Sequence, residues 1–186
     1  MSRESIAVID IETSWYDDVM SIGLALGDLE TYSLLDCRYF VIEPYVRHGG
    51  MFSGSIFLNN INVDLICSKD KAIEEIIEFL RKQTVSKIFA YNASFDYSHL
   101  LELRRYNWYD IMAVAAYTQY NSKIPSHWDC YKTGRLKRGY GVENIYRILS
   151  DDFSYSETHN ALLDAVDELK IMRMLGHDIS IYRKLN

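Results

Sequence analysis

The 186-residue sequence has only three cysteines, Cys37, Cys67 and Cys130, and no two of them stand close together. That scatter argues against a disulfide frame and fits a reducing compartment, so a cytoplasmic location is expected. No apolar run approaches the length needed to span a bilayer, and no membrane association is expected. Met1 to Glu4 are polar and lead straight into a strand pattern, so no secretory signal is visible. Internal repeats and low-complexity linkers are absent too, and residues 1–186 read as one domain. Prolines number two against fifteen tyrosines; composition attaches no function to that skew. A basic excess is also missing, with 20 Lys and Arg against 26 Asp and Glu and a net charge of −6. Broad, sequence-independent grip on duplex nucleic acid needs many cations to neutralise phosphates, so this balance argues against it. A small site that draws its positive charge from metal ions escapes the objection.

What is present is 48% hydrophobic and 25% charged, the composition of a globular protein long enough to bury a real core. Ser5–Ile11 is an apolar, β-branched run and predicts a buried strand. Met20–Asp28 and Thr31–Ile42 continue as strand-like segments on short connections, which predicts an antiparallel meander. Ser68 or Asp70 caps a predicted helix to about Gln83, with Ile73, Ile76, Ile77 and Leu80 on one face. Lys87–Tyr91 reads as a short strand, Ala93–Arg105 as a helix, and Trp108–Ile111 as a strand leading into a helix to about Tyr120. Residues 121–140 read as loop. Two helices, near Val142–Leu149 and Asn160–Leu175, close the chain. Strands followed by alternating helices and strands imply an α/β fold with a mixed sheet.

Acidic residues stand at three points of this order. Asp10 and Glu12 end the first strand, and side chains two apart on a strand share a face. Buried acids at a strand end call for neutralisation, and a hard divalent cation is a natural partner; the plain alternative puts both in solvent. Asp96, in Asn92-Ala-Ser-Phe95-Asp96, falls in the first turn of a helix, where the helix dipole favours an acid in any case. His159 and Asp164 lie five apart, too far around a helix to aim at one point. A shared site therefore requires His159 on the preceding loop and Asp164 inside the helix; otherwise they are a surface histidine and a solvated aspartate.

Taken together, Asp10-Ile-Glu12-Thr13, Asn92-x-x-Phe95-Asp96-x-x-x-Leu100 and His159-x-Ala-Leu-x-Asp164-Ala165 resemble the motifs of the DEDDh (DnaQ-like) branch of the DEDD 3′–5′ exonucleases, in order and spacing. Gly141-Val-Glu-Asn-Ile145 is similar to the segment that precedes the third motif. The resemblance covers about Ser5 to Leu175. It implies a ribonuclease H-like fold with a five-stranded mixed sheet, three antiparallel strands then two parallel, flanked by helices. It implies that Asp10, Glu12, Asp96 and Asp164 hold two Mg²⁺ or Mn²⁺ ions and that His159 is the general base. Single-stranded nucleic acid 3′ ends would be the substrate and nucleoside 5′-monophosphates the product. Thr13, Asn92 and Phe95 match positions that line the terminal-nucleotide pocket. Tyr91 stands where many proofreading members have histidine, which sets the chain apart from that subgroup. DNA and RNA stay open, as do a polymerase or other recruiting partner and a homo-oligomer.

Tyr131–Tyr140 mixes basic and aromatic residues, a composition suited to a single strand or simply to a solvated loop. Two rival readings are a catalytically silent module that binds 3′ ends on the same fold, and a zinc protein built on His127, Cys130 and His48 or His99. The second lacks a close second ligand pair.

Overall fold

The structure, a computed structural model, describes residues 4–185. In chain order the elements are β1 (Ser5–Thr13), β2 (Val19–Asp28), β3 (Leu34–Ile42), β4 (Leu65–Cys67), α1 (Lys69–Lys82), β5 (Lys87–Ala90), α2 (Ser94–His99), β6 (Asn107–Asp110), α3 (Met112–Ala115), α4 (Val142–Ser150), α5 (Ala161–Leu175) and β7 (Arg183–Lys184). β1, β2 and β3 form the predicted antiparallel meander; β5 joins β1 in parallel and β6 joins β5 in parallel. These five strands are the expected sheet. Two more extend it, giving the order β4-β3-β2-β1-β5-β6-β7. β4 is three residues long and β7 two, too short for any periodic pattern to show, and short edges of this kind leave little backbone open to unwanted pairing.

β1 is buried on both faces, and its alternation decides where the chemistry goes. Ala7, Ile9 and Ile11 pack with α1, whereas Ile6 and Val8 pack with α4 and α5. Asp10 and Glu12 continue the second series, so both acids face α5.

Ser68 caps α1, its side chain accepting from the Lys71 amide. Three predicted boundaries move. β3 starts at Leu34 and not Thr31, because Asp28 Oδ1 accepts from the Glu30 and Thr31 amides and holds a turn there. The helix expected over Ala93–Arg105 breaks at Leu100, whose non-helical backbone (φ −120°, ψ 47°) leads into a separate 3-10 turn, Leu101–Leu103. The helix expected to reach Tyr120 ends at Ala115. Asn121 turns back to donate to the Ala115 carbonyl, and Thr118 donates to Gly134 instead of continuing the helix. No described helix is long and apolar enough to cross a membrane.

Candidate active site

The carboxyl ends of β1, β5 and β6 lie side by side, the edge where ligands bind in parallel sheets. α5 brings the third segment there. Its first turn sits so close to β2 that a Cβ at Gly23 would lie 2.1 Å from the Ala161 backbone. Asn160 caps the helix, accepting from the Leu162 and Leu163 amides through Oδ1. Its Nδ2 donates to Tyr39 Oη (3.0 Å) and the Ser55 carbonyl (2.7 Å). One buried asparagine thus fixes α5 to β3 and to the 50s loop.

His159 lies just outside α5 with φ of 54°, and this left-handed residue turns the chain into the cap. Its carbonyl accepts from Ser55 Oγ, and its ring stacks on Phe52 at 3.7 Å between centroids and 14° between planes. Asp164 lies in the first turn of α5. Glu12, His159 and Asp164 offer ligand atoms that all lie within 4.8 Å of one another. A cavity of about 400 Å³ is lined by Asp10, Glu12, Thr13, Phe95, His159 and Asp164, with Trp15, Met51, Phe52 and Glu157 around them. Asp96 is buried behind it and shares the field of Asp10 and Glu12.

No lysine or arginine lines this cavity. The carboxyls accordingly rise out of their ordinary range. Asp10 is held well above it by burial, then by repulsion from Glu168, Asp96, Asp164 and Glu12. Burial, with Glu157 next, pushes Glu12 up to about 7, and burial with Glu157, Glu12 and Asp167 pushes Asp164 up to about 8. Burial also raises Asp96 and lowers His159, which keeps the imidazole neutral and able to accept a proton. Asp96 Oδ1 and Asp164 Oδ1 are buried without a hydrogen-bond partner. Clustered hard oxygens, two of them unpartnered and none facing a protein cation, fit divalent cations.

Three solved structures share the arrangement of elements. A 3′-exonuclease in 3′-end-specific recognition of a histone mRNA stem-loop matches with TM-score 0.67 and 16% identity, over 98% of this chain and 66% of its own. The nuclease domain of 3′hExo, a DEDDh family member bound to rAMP, matches with TM-score 0.64 and 14% identity, over 99% and 97%. The chain has the DEDD exonuclease fold. E. coli ExoI with single-stranded DNA, in its zinc-bound form, matches with TM-score 0.63 and 12% identity over 93% of this chain. This chain spans 40% of ExoI, and just under two thirds of the 3′-exonuclease that recognises the stem-loop. No protein-family model matches the sequence, and no curated protein does.

Within this DEDD exonuclease fold, the structure gathers Asp10, Glu12, Thr13, Phe95, Asp96, His159 and Asp164 at one place. It does not bring Asn92 there: Asn92 is exposed and lines a neighbouring cavity with Asp110. The residues of the rival zinc reading belong to no group of three possible ligands among the described residues. His48 pairs with Asp18 and His99 with Asp17, while Cys130 contacts the Trp128 carbonyl. Trp15, Met51, Phe52 and Glu157 line the cavity unforeseen, because they come from loops with no periodicity. Glu168 is a different omission. It lies one turn beyond Asp164 on α5, is buried, and accepts from the Tyr91 amide at 3.0 Å. An acid at i+4 from a candidate ligand in an apolar helix was a readable signal.

Proposed function

We propose that this chain is a divalent-metal-dependent 3′–5′ exonuclease acting on single-stranded nucleic acid as one nuclease domain. The carrying observation is the cation-free cavity where acids from β1 and α5 converge on a neutral histidine, with Asp96 of α2 buried within electrostatic reach of Asp10 and Glu12. Asp10, Glu12, Asp96 and Asp164 would hold two Mg²⁺ or Mn²⁺ ions. When bound, these ions would acidify the attacking water and stabilise the departing 3′ oxygen. His159 accepts the water's proton as a new P–O bond forms and the bond from phosphorus to the 3′ oxygen breaks, leaving a nucleoside 5′-monophosphate. Stacking on Phe52 holds the imidazole plane while its backbone stays fixed by Ser55. Phe95 (41% exposed) and Trp15 (65% exposed) line the cavity with accessible aromatic surface, suited to a terminal base. Thr13 lines the same cavity, where it would meet the terminal nucleotide.

The test is trimming of 5′-labelled single-stranded DNA and RNA with magnesium, manganese or EDTA, beside Asp10→Ala. A metal-dependent ladder of shortening products that vanishes in the variant is the expected result. Metal binding without a ladder on either polymer would contradict the reading and leave a 3′-end-binding module.

A further inference from the structure

A second cavity of about 420 Å³ opens at the carboxyl ends of β5 and β6, beside the carboxylate cavity. Asn92, Ser94, Asp110, Arg135, Arg183 and Lys184 line it. Its charge is opposite to that of its neighbour and to the −6 of the whole chain. Among the described residues, Arg135, Arg183 and Lys184 form no ion pair. Asp110 is the one carboxylate at the wall, and its Oδ1 is already engaged by the amides of Asn92 (3.1 Å) and Met112 (3.0 Å). Three cations therefore outweigh one carboxylate whose oxygen is turned to backbone.

The cations are carried on fixed backbone. Arg135 pairs with Tyr117 in an isolated bridge, and Gly134 before it has φ of 84°. An L side chain rarely adopts that φ, so the turn that aims Arg135 favours glycine. The Arg135 guanidinium lies 5.2 Å from the centroid of the Tyr140 ring. Arg183 sits in β7 opposite Asp110, and the Leu185 amide anchors that strand to the Trp108 carbonyl at 2.8 Å.

Position supplies the ligand. Ser94 lines the basic cavity and Phe95, the next residue, lines the carboxylate cavity, so the start of α2 is a wall common to both. β1 and β6 are two strands apart, about 10 Å at ordinary strand spacing. A single strand with its last phosphodiester at the carboxylates has further phosphates on that scale. Resting on the nuclease reading above, we propose that Arg135 and Arg183, with Lys184 beside them, form a subsite for an internal phosphodiester of the same strand. Of the four basic residues in Tyr131–Tyr140, Arg135 is the one that lines this cavity; Arg138 instead pairs with Asp129, and Lys137 lies over Tyr131.

The experiment has two arms with wild type and the Arg135→Ala/Arg183→Ala double variant, each checked for a native melting transition. In EDTA, affinity for a labelled ten-nucleotide single strand is measured across a salt series. The variant should bind at least tenfold more weakly, and the slope of log affinity against log salt should shrink by about 0.7 per lost phosphate contact. With magnesium, the ratio of kcat/KM for the ten-mer over a dinucleotide should fall by a similar factor. Equal affinity and slope in the two proteins would overturn the subsite whatever the trimming shows. Wild-type binding without trimming would overturn the nuclease reading, and the salt series would still decide the cavity.

Discussion

His159 occupies the left-handed region of the backbone, at a cost on the order of 1 kcal/mol or more for a non-glycine residue. In return its ring sits over the carboxylates, stacked on Phe52, while Asn160 begins the helix that carries Asp164. Replacement with alanine should leave metal binding intact and slow single-turnover cleavage by roughly 10²–10⁴, the usual share of a general base. Calorimetry with manganese and rapid quench on one substrate would check both halves; an unchanged rate would remove the histidine from the mechanism. Asp164→Ala should instead weaken metal binding and activity together, because its unpartnered Oδ1 is one of the oxygens left for a cation. Equal manganese affinity in that variant and wild type would contradict its role. The acids stood out in sequence through the combined resemblance to the DEDDh motifs, since each local context alone (a strand end, a first helical turn, a helix behind a loop histidine) also had a plain structural reading. Which aromatic residues face them was not legible, since Trp15, Met51 and Phe52 reach the cavity from loops whose path no periodicity encodes.

At the scale of elements, the seating of α5 on β2 decides whether the three segments meet. Asn160 both caps the helix and ties it to Tyr39 and Ser55, so Asn160→Ala removes a cap and two buried hydrogen bonds. A loss of about 2–4 kcal/mol in urea unfolding is expected, with reduced cleavage although the side chain touches no substrate. A loss below about 0.5 kcal/mol would show that packing alone seats the helix. The core strands were legible as apolar, β-branched runs buried on both faces, and α1 by the 3.6 period of its buried face. The missed features share a cause. β4 and β7 are too short to carry a period, α2 and α3 stop where side chains and backbone turn to distant partners, and Gly23 matters only through the helix that lands on it.

For the molecule as a whole, a metal-binding site without metal is an electrostatic burden. Glu12 and Asp164, with ordinary values of 4.5 and 3.8, are raised to about 7 and about 8. A carboxyl raised on folding binds more protons folded than unfolded. Its stabilisation is therefore complete below the ordinary value and is lost as pH climbs through the raised one. In EDTA the melting temperature should fall steadily from about pH 4.5 to pH 8. Magnesium or manganese should reverse the fall, and more so at higher pH, because the ligands must be deprotonated to bind. A flat profile in EDTA would contradict the raised carboxyls. On the proposed reading, a chain of net −6 would grip a polyanion locally, through metal at one cavity and cations at the next. The most direct measurement is the identity of the first product released from a single strand labelled in its 3′-terminal nucleotide. A labelled nucleoside 5′-monophosphate whose release requires metal is the expected result. A 3′-monophosphate, a short oligonucleotide, or release that persists in EDTA would contradict it.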